Sequence, residues 1–170
     1  MALTYAYYTW RTKVPLVFSA LAVQEAILQL IRDEMRIKPT PHVKIYDLGA
    51  GFGGLCFAVA KAFPEAEVIG LEMGWPMWLT AIARKILRQQ KNLIFILGDF
   101  WKHDISDGSI VLCYLGDAVM GRLKDKLLRE RCPGRLFISN TFPLPADWPP
   151  IRCIKIENSL SKEVLVYRQE

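Results

Sequence analysis

Residues 43–54 read VKIYDLGAGFGG, an apolar run that ends in an acid, Asp47, and then breaks into four glycines within six residues. A helical pattern begins immediately afterwards, at Leu55. A strand that passes through a glycine-rich turn into a helix brings backbone N–H groups close to a ligand, because glycine has no Cβ in the way. This stretch therefore predicts a ligand-binding turn.

Strand and helix patterns alternate on both sides of this turn. Before it, Ser19 is predicted to cap an amphipathic helix of about 15 residues. The remaining predicted elements are strands at 43–48, 67–72, 93–97, 109–115 and 135–141, and helices at 54–63, from Pro76 onward, and at 117–131. Strands that alternate with helices predict parallel pairing with crossover connections.

The end of the chain departs from this alternation. Residues 142–150 contain four prolines, which exclude a crossover helix after the fifth strand. Residues 152–157 and 163–168 have strand patterns, and the turn at 158–162 between them is so short that they must pair antiparallel. We therefore predict an α/β fold: a Rossmann-like, doubly wound sheet of seven strands, five of them parallel, with a C-terminal antiparallel hairpin.

Length and composition favour one globular domain. The chain has 170 residues, of which 52% are hydrophobic and 23% charged, which excludes a disordered protein. We assign residues 1–38 to an N-terminal arm and helix of this domain, and residues 39–170 to its ligand-binding core. Polar residues interrupt the apolar stretch 14–31, so we expect no membrane-spanning helix there.

The net charge of +5 permits an acidic partner without requiring one. Most of the basic residues concerned fall on predicted helices, and we interpret them as solvated helix faces rather than a nucleic-acid patch. They are Arg84, Lys85, Arg88, Lys91, Lys124, Lys126, Arg129 and Arg131. The aromatic and basic residues 1–13 predict an arm that packs over its own domain, and peripheral contact with a membrane stays open.

The four cysteines are scattered, with no C-x-x-C pair, and the two histidines are distant from them in sequence. We interpret them as buried thiols in a reducing compartment and expect a cytoplasmic protein with no metal site or disulfide. They are Cys56, Cys113, Cys132 and Cys153.

Two helices have periodic apolar residues that predict their buried faces. For the helix after Pro76 these are Leu79, Ile82, Ala83, Ile86 and Leu87; for the helix at 117–131 they are Met120, Leu123, Leu127 and Leu128. Trp75, Trp78 and Trp101 are expected in the core, with a position beside a substrate as the alternative.

Three of the glycines, with Glu72 as a ribose acid, formally satisfy the dinucleotide fingerprint G-x-G-x-x-G. Asp47 argues against a dinucleotide, because a carboxylate beside the turn would repel a pyrophosphate. The chain also has no second domain for a reducible substrate, and the terminal hairpin does not suit a plain dinucleotide fold.

A ligand with an ammonium group, a sulfonium and an adenosine fits better. Asp47 would attract the ammonium, Glu72 would accept both ribose hydroxyls, and Asp99 would accept from the adenine amino group, with Phe100 or Met73 against the ring. These positions end parallel strands, where open α/β sheets bind ligands. The predicted ligand is S-adenosyl-L-methionine, and its predicted binding residues are Asp47, Gly49, Ala50, Gly51, Glu72, Met73, Asp99, Phe100 and Tyr114.

From residue 43 to its end the chain resembles the seven-stranded, class I S-adenosylmethionine-dependent methyltransferases. The glycine motif at 46–53, the acids at 72 and 99 and the hairpin at 152–168 carry this resemblance. The segments 15–17, 98–102, 123–127, 140–145 and 148–149 also resemble a family of protein-lysine methyltransferases, which includes mitochondrial enzymes acting on the ADP/ATP carrier and the ATP-synthase c-subunit. The resemblance implies S-adenosyl-L-methionine as methyl donor, S-adenosyl-L-homocysteine as product and a lysine of another protein as acceptor. The sequence differs from this family in having Phe52 where an acid is common, and Phe18-Ser19 in place of proline and small residues.

The acceptor is expected beside residues 114–117, which follow the fourth strand. Our hypothesis is that Tyr114 shapes the acceptor pocket and that Asp117 is catalytic, orienting or deprotonating the amine; Asp117 is alternatively an N-cap. Residues 140–143 either line the same pocket or only end a strand. An RNA methyltransferase, a small-molecule methyltransferase and a non-catalytic S-adenosylmethionine-binding protein stay open as alternatives.

Overall fold

The computed structural model describes residues 21–39, 42–156 and 163–170. The predicted cap Ser19, the aromatic arm at 1–13 and the turn at 158–162 lie outside these ranges. The helices are α1 (Leu21–Ile37), α2 (Gly54–Ala62), α3 (Trp75–Arg88) and α4 (Asp117–Arg129). The strands are β1 (Lys44–Leu48), β2 (Glu67–Glu72), β3 (Leu93–Leu97), β4 (Ile110–Cys113), β5 (Leu136–Asn140), β6 (Arg152–Lys155) and β7 (Glu163–Arg168).

The seven strands form one sheet in the order β3-β2-β1-β4-β5-β7-β6. The first five strands of this order pair in parallel, whereas β7 is antiparallel to both β5 and β6. The predicted α/β fold with a C-terminal antiparallel hairpin is therefore confirmed. Because strand order reverses direction at β1, the carboxyl ends of β1 and β4 flank the switch point at which such sheets bind ligands.

Hydrophobic side chains fill both faces of the sheet. On one face, α1, α2 and part of α3 pack over residues such as Ile45, Val68 and Ile138. On the other face, α4 and the segments around Ile105 and Leu144 cover the alternate strand positions. Strands β1, β4 and β5 are buried along nearly their whole length, as expected for strands covered on both sides.

An ion pair joins helix α1 to strand β7. Both guanidinium nitrogens of Arg168, on β7, donate to the Glu34 carboxylate, with N···O distances of 2.8 and 2.6 Å. A second pair, Arg152 with Asp33, is looser at 3.8 Å. Among the described residues no helix has the length and apolar character needed to cross a bilayer.

Several predicted burial patterns are wrong. Leu79, Ala83, Ile86 and Leu87 of α3 are exposed rather than buried, and Ile82 is half-buried, because Met77 and Ala81 are the residues that α3 turns inward. On α4, Met120, Leu123 and Leu127 are buried as predicted, but Leu128 is exposed.

Lys126 was expected on a solvated face but is buried. Its ammonium group donates to the carbonyl oxygen of His103 at 2.7 Å and to the carboxylate of Glu130 at 2.5 Å, so the charge is paired inside the protein. All four cysteines are free; Cys56 and Cys113 are buried as expected, whereas Cys132 is half-buried and Cys153 is exposed. No cluster of three or more metal-ligating side chains occurs within the described ranges.

Candidate functional site

Five polar or aromatic side chains follow the sheet order along one edge. From β3 to β5 these are Asp99, Glu72, Asp47, Tyr114 and Asn140, each at or just beyond the carboxyl end of its strand. Parallel strands present these ends on the same side. The structure therefore places the predicted acids and the predicted acceptor-side residue in one row across the switch point.

Asp47 has been removed from water by the fold. It is 5% exposed and accepts a hydrogen bond from the Sγ atom of Cys56 on α2, at 3.1 Å. Burial raises the pKa of Asp47 to about 6; the Cys56 hydrogen bond opposes this shift and the nearby charge of Glu72 adds to it. A buried carboxylate without a cation is costly, so this site favours a positively charged ligand group.

The glycine turn differs from the expectation that its N–H groups face a ligand. The N–H groups of Gly49 and Ala50 both donate to the carbonyl oxygen of Leu71, at 2.9 and 3.0 Å. The N–H group of Gly51 donates to Oε2 of Glu72 at 2.8 Å, and that of Gly53 donates to the Ala50 carbonyl at 2.9 Å.

These four donors are used inside the protein and are not aimed at an anion. The glycines serve the backbone path instead, since Gly49, Gly51 and Gly53 all have positive φ. A pyrophosphate cradle needs N–H groups that are free to donate. The turn thus brings backbone close to a ligand without offering a phosphate site.

Glu72 is the most strongly held of the three acids. Its Oε1 accepts from the N–H of Gly74 at 2.6 Å, its Oε2 accepts from Gly51, and its side chain is buried. Burial raises its pKa, while the backbone hydrogen bonds from Gly74, Gly51 and Met73 lower it. Each carboxylate oxygen has a second lone pair, so the predicted bidentate contact to a diol stays available.

Asp99 lies in the turn after β3 and is half-buried. Its Oδ1 accepts from the N–H of Trp101 at 3.0 Å, which fixes the turn. The rings of Phe100 and Trp101 lie 4.5 Å apart between centroids, and the Arg122 guanidinium lies 4.1 Å from the Trp101 centroid. Trp101 is therefore half-buried between an aromatic and a cationic neighbour.

On the β4 side, an aromatic pair lies beside the end of the strand. The rings of Tyr114 and Phe142 stack with an interplanar angle of 29° and centroids 6.0 Å apart, and both are half-buried. Asp117 is exposed and is the first residue of α4, whose N-cap is Gly116. The alternative that Asp117 is itself the N-cap is therefore wrong, although an acid in the first turn still suits the helix dipole.

The environment of Asn140 was not predicted from the sequence. It is 1% exposed, and its Nδ2 has no hydrogen-bond partner in the described part of the chain. Its Oδ1 accepts from the hydroxyl of Thr141 at 3.0 Å, and Thr141 has a φ of 71°, which is strained for a β-branched residue. Cys113 pairs with Ser139 in the β4–β5 register, so Asn140 lies opposite Tyr114, one step further along.

Strand alternation also fixes the face on which Asn140 lies. The Ser139 hydroxyl contacts Cys113 on the α4 side, so Asn140 projects to the opposite face, which is that of Asp47 and Cys56. An unpaired buried donor and strained backbone at one strand end are both characteristic of functional sites.

Comparison with known proteins identifies the family. Residues 47–152 match the sequence profile of the ANTKMT methyltransferase domain. The chain belongs to this family. It is accordingly an S-adenosyl-L-methionine-dependent methyltransferase of the class I fold.

Two curated relatives are similar over most of the chain. A protein-lysine N-methyltransferase from Saccharolobus islandicus is 30% identical over 129 residues, covering 72% of this chain and 77% of the relative. An adenine nucleotide translocase lysine N-methyltransferase from Mus musculus is 30% identical over 151 residues, covering 85% of this chain but only 59% of the relative.

Solved structures show the same fold. An RNA methyltransferase from Salinibacter ruber, in complex with S-adenosyl-L-homocysteine, superposes with a TM-score of 0.75 at 25% identity, covering 90% of this chain and 94% of the other. A class I methyltransferase from Listeria monocytogenes superposes with a TM-score of 0.67 at 12% identity, over 89% of this chain.

The site geometry fits the cofactor of the ANTKMT family. Buried Asp47 suits a cationic amino-acid end, and Glu72 suits a ribose diol. The donors of the glycine turn that would bind phosphate are already used by Leu71, Glu72 and Ala50. A dinucleotide is disfavoured by the same contacts.

Proposed function

We propose that this protein is a protein-lysine N-methyltransferase. Both curated relatives are named as lysine methyltransferases, which supports the proposal. The structural observation that carries it is the stacked pair of Tyr114 and Phe142 at the end of β4, beside the row of acids. Two half-buried rings form an apolar wall against which the aliphatic stem of a lysine can pack.

Each of the proposed cofactor residues contacts a different part of the ligand. Asp47 holds the ammonium group, Glu72 the ribose hydroxyls and Asp99 the adenine amino group. The backbone of Gly49, Ala50 and Gly51 approaches the ligand closely. Met73 and Phe100 contact the adenine ring, and Tyr114 contacts the ligand where the acceptor pocket begins.

S-adenosyl-L-methionine supplies the transferable methyl group when bound. The task of the protein is to present a neutral amine in line with that group, so that alignment supplies most of the rate enhancement. A lysine ammonium must first lose a proton, and partial desolvation beside the wall of Tyr114 and Phe142 lowers the pKa of the lysine that enters. We propose that the exposed Asp117 carboxylate, three residues after Tyr114, accepts that proton or orients the amine.

An RNA methyltransferase is the second candidate. The Salinibacter neighbour, which is named an RNA methyltransferase, covers nearly all of this chain, and the net charge is +5. Four basic residues at the end of α3 and after it form no salt bridge among the described residues, so their charges are available to a polyanion. They are Arg84, Lys85, Arg88 and Lys91. The exposed apolar residues of α3 beside them, Leu79, Ile86 and Leu87, do not suit a nucleic-acid surface. This favours the lysine methyltransferase.

One labelling experiment distinguishes the two functions. The purified protein is incubated with S-adenosyl-L-methionine carrying a radiolabelled methyl group and with soluble and membrane fractions of cells. A lysine methyltransferase gives label that protease removes and ribonuclease leaves, and acid hydrolysis of the labelled band yields methyl-lysine. Label that ribonuclease removes would overturn the proposal in favour of RNA.

The control in this experiment is a variant that does not bind cofactor. Glu72→Ala removes the acceptor for a ribose and should abolish labelling of every fraction. Label that persists with this variant comes from a contaminating enzyme and contradicts the assignment.

We also propose that the protein works in a reducing compartment such as the cytoplasm. Its four thiols are all free, and Cys153 is exposed on the edge strand β6. Its Sγ lies 3.0 Å from the carboxylate of Glu163, and this contact raises the pKa of the thiol. Fractionation of cells with an antibody to the protein tests this compartment.

A further inference from the structure

Helix α3 turns an apolar face to solvent. Trp75, Leu79, Ile86 and Leu87 are 55%, 52%, 69% and 83% exposed, and Ala83 between them is also exposed. Spacings of four, three and four residues, through half-buried Ile82, align Trp75, Leu79 and Ile86 on one side of the helix. Isolated exposed hydrophobic residues are ordinary, but a continuous row along one helix indicates an interaction surface.

The orientation of α3 is fixed by its opposite side. Met77 and Ala81 are buried against the sheet, and the indole nitrogen of Trp78 donates to the carbonyl of Phe95 at 3.1 Å. The guanidinium groups of Arg84 and Arg88 lie 4.7 and 4.8 Å from the centroid of the Phe57 ring.

The arginines therefore hold α3 to α2. This is the reverse of the usual amphipathic arrangement, in which the cationic side chains face solvent and the apolar ones face the core. No element within residues 21–39, 42–156 and 163–170 packs over the apolar face.

The charge around this face has one sign. Helix α3 contains Arg84, Lys85 and Arg88 and no acidic residue, and Lys91 follows it. None of these four cations forms a salt bridge within the described ranges. Burial and the charge of Arg88 both lower the pKa of Arg84, as expected where cations gather without a counter-charge.

We propose that the exposed face of α3 binds the surface of an anionic lipid membrane. An exposed face with one tryptophan and three long aliphatic residues, with Lys85 on the same helix and Lys91 just after it, has the composition of an interfacial helix. Its apolar residues enter the acyl boundary, while Lys85 and Lys91 attract acidic headgroups. A nucleic acid would use the cations but not the aliphatic row, and a second copy would bring two unneutralised cationic clusters together.

The face begins beside the proposed cofactor site. Trp75 is three residues beyond Glu72, at the same edge of the sheet. Contact through α3 would therefore hold the mouth of the site near the lipid surface. The lipid contact goes beyond lysine methylation and does not depend on the acceptor, so binding to vesicles can be measured without turnover.

The test is co-sedimentation of the full chain with vesicles. Phosphatidylcholine vesicles are compared with vesicles that also contain phosphatidylglycerol, at low and high salt. We expect binding to the anionic vesicles only, weakened by salt. The triple variant Leu79→Gln/Ile86→Gln/Leu87→Gln should lose at least about tenfold in partition, because its buried apolar area is removed.

A matched control uses exposed apolar residues elsewhere. Leu128 on α4 and Ile151 before β6 are 46% and 60% exposed, and Leu128→Gln/Ile151→Gln should bind vesicles as the parent does. All variants are first required to keep the circular dichroism spectrum and the S-adenosyl-L-homocysteine affinity of the parent, since the substituted residues are exposed.

Three results would overturn the proposal. Equal binding by the triple variant would place the lipid contact on another part of the chain, such as residues 1–13. Absence of binding to anionic vesicles would exclude a lipid partner. A dimer seen by light scattering that the triple variant dissociates would make a second copy the occupant of this face.

Discussion

The Sγ atom of Cys56 lies 3.1 Å from Oδ2 of Asp47, so a neutral thiol is the hydrogen-bond partner of a carboxylate buried at the end of β1. Burial also raises the pKa of the Cys56 thiol, so the thiol keeps its proton and stays a donor. The pair leaves the charge of Asp47 uncompensated in the free protein. That charge is available to a cationic ligand, and it destabilises the protein when no ligand is bound.

The first prediction concerns stability. The pKa of Asp47 rises from 3.8 to about 6 on folding, so its favourable neutral form is fully populated below pH 4 and is lost as pH rises through 6. Asp47→Asn should therefore increase the free energy of unfolding by about 3 kcal/mol at neutral pH and by little near pH 4. Urea unfolding of the free protein at several pH values measures this. A loss of stability in the variant at neutral pH would contradict it.

The second prediction concerns cofactor affinity. If Asp47 holds the ammonium group, protonation below about pH 6 removes the attraction. The dissociation constant of S-adenosyl-L-homocysteine should then rise by about tenfold for each pH unit below this value. Isothermal titration calorimetry of parent and Asp47→Asn tests it, since the variant should bind weakly with a flat pH profile. The exposed acid Asp125 gives the control variant Asp125→Asn, which should follow the parent.

The third prediction concerns Asn140. Its unpaired Nδ2 costs free energy in the free protein, whereas its Oδ1 accepts from the Thr141 hydroxyl, so Asn140→Leu, which has the same side-chain branching but is larger, should change the melting temperature only slightly. If Asn140 contacts the acceptor or cofactor, the same variant should lose about tenfold or more in kcat. Differential scanning fluorimetry and a methyl-transfer assay measure the two effects. A large drop in melting temperature with full activity would show a purely structural residue.

The fourth prediction concerns Asp117. Removing a general base or orienting carboxylate should lower kcat by about 100-fold while the affinity for S-adenosyl-L-homocysteine is unchanged. Asp117→Ala is compared with Asp125→Ala on the same helix, which should be fully active. Because Asp117 is exposed and does not cap α4, folding should be intact. Unchanged turnover in Asp117→Ala would remove it from the mechanism.

The fifth prediction concerns the attachment of α1. The two-pronged contact of Arg168 with Glu34 should make Glu34→Gln less stable by about 1 kcal/mol, and the loss should shrink at high salt. Asp33→Asn removes the looser, exposed pair with Arg152 and should cost only a few tenths of that, about 0.2 kcal/mol. Chemical denaturation of both variants provides the comparison. Equal losses of stability in the two variants would mean that the bidentate geometry of the Arg168–Glu34 pair adds nothing to stability.

The strands and their parallel order were predictable because the signals are local. Apolar runs of about five residues, each ended by a glycine, proline or acid, mark strands without knowledge of their neighbours. Residues 142–150 excluded a crossover through their prolines, and the short turn at 158–162 then predicted the antiparallel hairpin. The acids after three successive strands could be placed at one edge by topology alone.

The direction in which α3 faces could not be predicted. The helix has apolar residues around most of its circumference, so periodicity gave an apolar side but not the side that meets the sheet. The choice depends on the Phe57 ring, against which Arg84 and Arg88 pack, and on the Phe95 carbonyl, which accepts a hydrogen bond from the indole nitrogen of Trp78. Both are tertiary relationships with no signal in a sequence window.

The hydrogen-bond state of the site was equally hidden. The glycine motif indicates a close backbone approach, but only the register of β1 against β2 shows that the Leu71 carbonyl takes two of its donors. Asn140 lies in a segment that the sequence marked as either pocket or strand end. The missing hydrogen-bond partner of its Nδ2 can be seen only in the folded structure, where the neighbouring segments are in place.

Strand β7 lies between β5 and β6 although it follows both in the chain. During synthesis, β5 therefore waits as an open edge, with the hydrogen-bonding groups beside Asn140 unpaired, until residues 163–168 have emerged from the ribosome. In that interval β5, which is buried in the folded protein, is exposed to other nascent chains. Slow translation of residues 141–168 should therefore lengthen this exposure and increase the dependence on chaperones.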